Sequence, residues 1–369
     1  MKKNKHRLLK VLIFSAACAG ALHLINRVIH YVATNKGASD GDDLLTYEWA
    51  NGPVRYIKKG EGSPILLIHH IDPFASSYEW HSVISDLAKK HTVYALDLPG
   101  CGHSVKEPVT YVAFYFVQML EAFLRDVVGE KAVLVASGSS AAVASAAAAF
   151  DSSLIDRLVL VNPRSDTRAL DADWKQKLFI NLLKLPILGT FIYNLRFNRA
   201  HLDADLADNL FYNPFNVTSD LVDTGFANVH LGNDNGRYLY ASQIGGYMAV
   251  DPKLALERIS VPVLYMIGSK APTRESAEKW VELSGSPECI KFNRSATFPH
   301  IEEAEVFIEQ IERFLKSESA SADESSEVYS EEVADEPSEV SSEELSEEPS
   351  EEYSEEIAEE PSEEIFEKE

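Results

Sequence analysis

Cysteine is scarce in this chain of 369 residues: Cys18, Cys101 and Cys289 stand far apart, with no CxxC spacing. That excludes a disulfide framework and a cysteine-based zinc site, and leaves the redox compartment open. Positive charge is in deficit, with 34 Lys and Arg against 58 Asp and Glu and a formal net charge of -24. Neutralising phosphate takes clustered cations, so no nucleic-acid partner is expected. Metal ligands are not grouped either. His69, His70 and Asp72 are neighbours on an extended segment, where successive side chains face opposite ways, so no metal site and no cofactor are expected.

The negative charge is unevenly placed. Residues 317–369 hold 23 Asp and Glu and one Lys (Lys368), leaving 35 acids and 33 bases in residues 1–316, a net charge of -2. This segment also repeats: Tyr329 to Pro337 (YSEEVADEP) returns 24 residues later as Tyr353 to Pro361 (YSEEIAEEP). High charge and few apolar side chains cannot offset the entropy of ordering, so residues 317–369 are expected to be a disordered acidic Ser/Glu repeat tail, with no partner assigned.

At the other end Lys2, Lys3, Lys5, Arg7 and Lys10 precede Val11 to Ile25, an apolar run interrupted only by His23. Apolar character resumes in Val28, Ile29, Tyr31 and Val32, which favours an uncleaved membrane anchor over residues 1–33. A signal peptide cleaved at Ala17-Cys18-Ala19 or Ala19-Gly20-Ala21, giving a secreted protein, is the alternative. For an anchor, the basic flank places the N-terminus in the cytoplasm and the folded domain outside. Residues 34–44 read as a linker.

From residue 45 two short strands meet at Asn51-Gly52, a strong hairpin signal. Buried apolar runs of strand length then alternate with helical segments: Ile65 to Ile68, Val93 to Leu96, Val133 to Ala136, Leu158 to Val161, Val263 to Ile267 and Cys289 to Phe292. Helices are expected over Tyr78 to Lys90, Tyr111 to Val128, Ser139 to Phe150, Arg274 to Leu283 and Ile301 to Leu315. The pattern implies an α/β fold, a mostly parallel sheet with helices on both faces. The rhythm breaks between Val161 and Val263, where helical stretches such as Trp174 to Leu185 and Phe191 to Arg199 read as a helical cap insertion at residues 164–247 over the ligand end of the sheet. Within it the apolar stretch Leu185 to Tyr193 is expected to pack down onto the sheet, with a ligand cavity or a lipid surface as alternatives. The core is then residues 45–163 and 248–316.

Several segments resemble the α/β-hydrolase superfamily, in its order. Leu66-Leu67-Ile68-His69-His70 is similar to the strand ending in His-Gly before the oxyanion loop. Asp97-Leu98-Pro99-Gly100-Cys101-Gly102-His103-Ser104 is similar to the D-x-P-G-x-G-x-S segment, and Ser295 to Glu303 to the histidine loop. The resemblance implies a Ser-His-acid triad with the nucleophile on a tight strand-to-helix turn. In Val135-Ala136-Ser137-Gly138-Ser139-Ser140-Ala141 one register puts Gly138 at the nucleophile position; shifting by one puts Ser139 there. Ala271 stands where the acid belongs and Thr297 where the histidine belongs. His70 replaces the usual Gly of the oxyanion loop, and Asp72 puts a carboxylate nearby.

The candidate site residues are therefore Ser139 and His300 as a relocated catalytic pair, with His70, Ile71, Asp72 and Ser139 as oxyanion or ligand pocket. His300 is expected at the start of the last helix, half exposed. His69 is expected to plug the sheet end, and Cys101 to fill a tight turn. The reading is a membrane-anchored α/β-hydrolase-fold protein, non-catalytic or strongly divergent, that binds a small apolar or acyl-type ligand or a partner. The alternative is an esterase-type serine hydrolase built on Ser139 and His300.

Overall fold

Eight strands form one sheet: β1 (Leu45–Trp49), β2 (Gly52–Lys59), β3 (Pro64–Ile68), β4 (Thr92–Leu96), β5 (Ala132–Ser137), β6 (Ile155–Val161), β7 (Val263–Gly268) and β8 (Cys289–Phe292), in the order β1-β2-β4-β3-β5-β6-β7-β8. β1 and β2 are the hairpin at Asn51-Gly52, and β2 runs antiparallel to β4. The remaining pairs are parallel. The computed structural model describes residues 2–36, 44–164, 173–285 and 288–317. Most of the linker at 34–44 and the acidic tail beyond Ser317 lie outside the described residues.

The helices are α1 (Lys2–Lys36), α2 (His81–Leu87), α3 (Ala113–Phe123), α4 (Ser139–Phe150), α5 (Trp174–Leu183), α6 (Pro186–Arg196), α7 (Arg199–Asp205), α8 (Ser219–His230), α9 (Gly236–Ile244), α10 (Pro252–Leu256), α11 (Arg274–Ser284), α12 (Pro299–Glu302) and α13 (Ala304–Lys316). The inner strands β3, β4, β5 and β7 are apolar nearly throughout because both faces are covered, and alternation divides their side chains between the two sides. Leu66, Ile68, Leu134 and Leu158 pack with Phe116, Phe123, Ala141 and Trp280 of α3, α4 and α11. Ile65, Leu67, Val133 and Val159 pack with Val83, Phe307 and Ile311 of α2 and α13. Two expected helices are divided: a 3-10 turn, Ser77–Trp80, precedes α2, and Glu303 separates α12 from α13.

Between β6 and β7 the chain leaves the sheet for α5 to α9, the cap. α5 and α6 meet at a sharp bend of 104°. Pro186 opens α6 at a position where its missing N–H costs nothing, and Gly189 passes so close to Leu183 O that a Cβ would stand 2.2 Å away. The apolar stretch Leu185 to Tyr193 does not lie down on the sheet. Its inner face, Tyr193 with Phe197, packs on Ile180, Leu183, Val229 and Ala241 within the cap. Its start stands against α1, where Ile187 and Leu188 share a groove with Phe14, Cys18 and Leu22. α1 is long and apolar enough to cross a membrane by length and composition. The two Asn residues facing each other along this contact explain the polar residue in its apolar run: Asn26 Nδ2 donates to Ile187 O at 3.0 Å, and Asn194 Nδ2 to Asn26 Oδ1 at 3.2 Å.

Candidate ligand site beneath the cap

The sharp turn from β5 into α4 is made at Gly138, with φ 59° and ψ -123°. A side chain is rarely tolerated at such a positive φ, whereas glycine adopts it freely. Gly138 N–H donates to Val161 O at 2.9 Å, and Ser140 Oγ bonds Ser137 O at 2.8 Å and Ile68 O at 3.1 Å, so the elbow is tied to its neighbouring strands. Ser139 is the first residue of α4, and its Oγ accepts from Ile71 N–H at 3.3 Å. The hydroxyl thus covers a main-chain donor of the loop that follows β3.

A Cβ built on Gly138 would stand 3.0 Å from His70 Cβ. His70 therefore crowds the elbow through its Cβ, which would have to give way slightly for a side chain at 138. His70 is held from behind by buried Glu79: its Nδ1 lies 2.5 Å from Glu79 Oε2, and its backbone N–H donates to the same oxygen at 3.1 Å. Burial opposes the charged form of His70, but the Glu79 carboxylate outweighs it and the pKa is raised. Glu79 is likewise desolvated, yet the two histidines beside it hold it well below the usual carboxylate range.

The second of those histidines is His300. The expectation of a half-exposed His300 is corrected: it has no exposed surface, because α12 turns it inward against the Trp80 ring (4.1 Å between centroids) and Phe307. Its Nε2 lies 3.4 Å from Glu79 Oε1, and burial lowers its pKa. His300 is not among the residues lining the cavity that contains Ser139.

That cavity, about 360 Å³, lies between the strand ends and the cap. Gly138, Ser139, His70, Ile71 and Asp72 line it from the sheet side, with Asn162, Arg164 and Thr297. Tyr240, Gln243, Ile244 and Met248 line it from the cap side. Gln243 Nε2 donates to Ile71 O at 2.6 Å and so pins the loop after β3. Desolvation raises the Asp72 carboxyl, which favours its uncharged form beside His70. Ala271 is buried just after β7, and Thr297 N–H bonds Leu210 O at 3.0 Å, so neither position brings an ionisable group to the cavity.

The supporting residues are equally specific. His69 is fully buried; Leu98 N–H donates to its Nε2 at 3.0 Å and its Nδ1 meets His70 O at 2.6 Å, bracing the ends of β3 and β4. Asp97 accepts from Ser77 N–H at 2.7 Å and His103 N–H at 2.8 Å, which fixes the Gly100 to Ser104 turn; burial alone would raise its pKa, but the His103 side chain and these N–H donors draw it to about 2. Cys101 is buried in that turn with its thiol pushed up by burial, the opposite of a reactive thiolate.

The family model of the α/β hydrolases matches residues 65–310. The chain belongs to the α/β hydrolase family. A hydrolase of 2-hydroxy-6-oxo-6-(2'-aminophenyl)hexa-2,4-dienoic acid from Metapseudomonas resinovorans is 29% identical over 110 residues, which is 29% of this chain and 38% of that relative's length. Among solved structures, a serine hydrolase involved in carbazole degradation (CarC) superposes with a TM-score of 0.60 at 20% identity, over 74% of this chain and 98% of its own. A membrane phospholipase A described as a bacterial virulence factor gives 0.57 at 19% identity, over 85% of this chain and 98% of its own. At such identities the structural likeness is one of fold.

Glu79 is the site residue that sequence reasoning missed. The Ser76-x-x-Glu79 spacing reads as a helix-capping box, which assigns the carboxylate to a backbone N–H of its own turn. Ser76 Oγ does accept from Tyr78 N–H at 3.3 Å, but Glu79 points inward to the histidines.

Proposed function

We propose that this is a membrane-anchored α/β-hydrolase-fold protein whose cavity binds a small acyl-type ligand without forming an acyl-enzyme. The observation that carries the reading is the elbow itself: it keeps its shape with Gly138 at the turn, carries no nucleophile there, and leaves a side chain at 138 only 3.0 Å from His70 Cβ. What remains suits binding. The Ser139 hydroxyl, which accepts from Ile71 N–H and keeps its own proton to donate, lines one end of the cavity with the start of α4 and the His70 side chain, favouring a carbonyl or carboxylate oxygen. Ile244, Met248 and Tyr240 supply apolar wall for the rest of the ligand. The apolar length of α1 and its basic N-terminal flank support anchoring, with the folded domain outside.

Fluorophosphonate labelling of the purified protein, with Ser139→Ala as control, tests the reading. The expected outcome is no stable adduct and no ester turnover, together with thermal stabilisation by a short aliphatic carboxylate such as hexanoate that is lost in His70→Ala. At 100 times Kd such a ligand adds about 2.7 kcal/mol to stability. Labelling that disappears in Ser139→Ala would replace this reading with a working serine hydrolase.

A further inference from the structure

α1 docks to the cap along one face. Ala19, Leu22, Asn26, Ile29, His30, Ala33 and Thr34 are its half-buried or buried positions, recurring every three or four residues as one helical stripe. From His6 to Cys18 every helix position is exposed. This division conflicts with a simple tether. Leu8 to Cys18, the apolar part free of the body, rises only about 16 Å, whereas crossing a bilayer's hydrocarbon takes about 30 Å. A helix docked to the cap from Ala19 onward spans only if the surface it docks against is itself immersed.

The cap surface at that level has the matching chemistry. Counted from Leu8, the stretch Phe14 to Leu22 lies about 9 to 21 Å into a span, and Ile187 and Leu188 at the start of α6 stand against it. Around this elbow Leu185, Leu188 (39% exposed), Leu178 (51%) and Trp174 (70%) present large apolar side chains outward. Soluble surfaces seldom gather such side chains. From Trp174 to Arg199 there are five basic residues, Lys175, Lys177, Lys184, Arg196 and Arg199, and no acidic one, within a chain whose net charge is -24. Arg196 and Arg199 are paired with Asp205 and Asp223, while Lys175 and Lys177 are exposed beside Trp174. An apolar elbow rimmed by lysines is the composition of a segment lying in the interface of an anionic bilayer.

We infer that the α5–α6 elbow is a second membrane contact, inserted in the leaflet on the body's side of the bilayer next to α1. The inference rests on the reading of α1 as a membrane span. α5 reaches the ligand cavity directly, since Gln176 Nε2 hydrogen-bonds the carbonyl of cavity-lining Ile244.

The native tryptophans make the test clean: Trp49, Trp80 and Trp280 are buried in the hydrolase body, and Trp174 is exposed. The full chain carrying Trp174→Phe with Leu188→Trp is reconstituted into phosphatidylglycerol-containing vesicles whose acyl chains are brominated. The Trp174→Phe chain gives the background, and a parallel sample retains native Trp174. The expected result is flotation with the vesicles, with residue-188 emission blue-shifted and quenched at least about twofold, as burial among acyl chains requires. Native Trp174 should be quenched by a headgroup-region spin label. A chain that floats while residue 188 stays red-emitting and unquenched would overturn the inference and leave the anchor reading standing. A chain that does not float would remove the anchor reading and this inference with it. Both substituted positions are exposed, and an unchanged melting temperature verifies that the variant is folded.

Discussion

Glu79 sits between His70 and His300 with almost no access to solvent, and the two rings answer it differently. His70, 2.5 Å away, has its pKa raised above 6.5; His300, more deeply desolvated and at 3.4 Å, has it lowered. The stabilisation from His70 is therefore full below its unfolded pKa and fades as pH rises through the raised folded value. That from Glu79 is present above the ordinary carboxylate range and is lost only in acid, as pH falls through its depressed value. The contribution of His300 runs opposite to that of His70, fading as pH falls below about 6.5 because the buried neutral ring must take up charge. Glu79→Gln is expected to cost about 2–4 kcal/mol near pH 6, since it leaves His70 without its buried counter-charge. The deficit should shrink as pH rises through the raised folded value and wild-type His70 loses its proton, and melting curves of both proteins at rising pH read that convergence. His70 was visible in the sequence as an oddity in a loop that usually holds glycine. Its partner was not, because Glu79 is nine residues away and the pairing exists only once the 3-10 turn folds back over the end of β3.

At the scale of elements, Asn162 joins three segments behind the cavity. Its backbone lies in the left-handed region (φ 44°), its Nδ2 donates to Ala296 O and Thr297 O at 3.1 and 2.9 Å, and its Oδ1 accepts from Gly268 N–H at 2.9 Å. One amide thus fixes the ends of β6 and β7 to the loop before α12. Asn162→Ala strips these bonds and puts a Cβ-only residue at positive φ. We expect a loss of about 2–4 kcal/mol, measured as the shift in urea midpoint at constant m. The strands themselves were legible from their apolar runs, and α4 begins and ends where its pattern of small residues does, Ser139 to Phe150. The division of the last helix at Glu303 was hidden. Glu303 Oε2 accepts from Ser295 Oγ at 2.5 Å and Arg294 N–H at 3.0 Å, and Glu302 accepts from Ala296 N–H and from Tyr212 N–H, both at 2.9 Å. These carboxylates serve the loop just before α12 and the distant Tyr212, which a local helical pattern does not reveal.

For the molecule as a whole, the net charge is concentrated at one end of the sequence. Residues 1–318 make one compact unit, and residues 319–369 hold nearly all of the net negative charge. Removing 318–369 should leave the melting temperature within about 1 °C while carrying the net charge from -24 to -2, read by calorimetry and isoelectric focusing. The order of apolar runs, the helical insertion after Val161, the glycine at the elbow and the vacancies at Ala271 and Thr297 are all properties of the sequence. Each follows from local periodicity or from residue type at a short fixed spacing. Tertiary structure decided the rest: that His300 faces inward to Glu79 and not toward Ser139, that His70 takes the space beside Gly138, and that α1 docks along the cap from Ala19 onward. These depend on which distant segments meet. A burial direction, an ion pair or a docked helix face is set by packing between residues tens to hundreds of positions apart, and no periodicity along the chain encodes it.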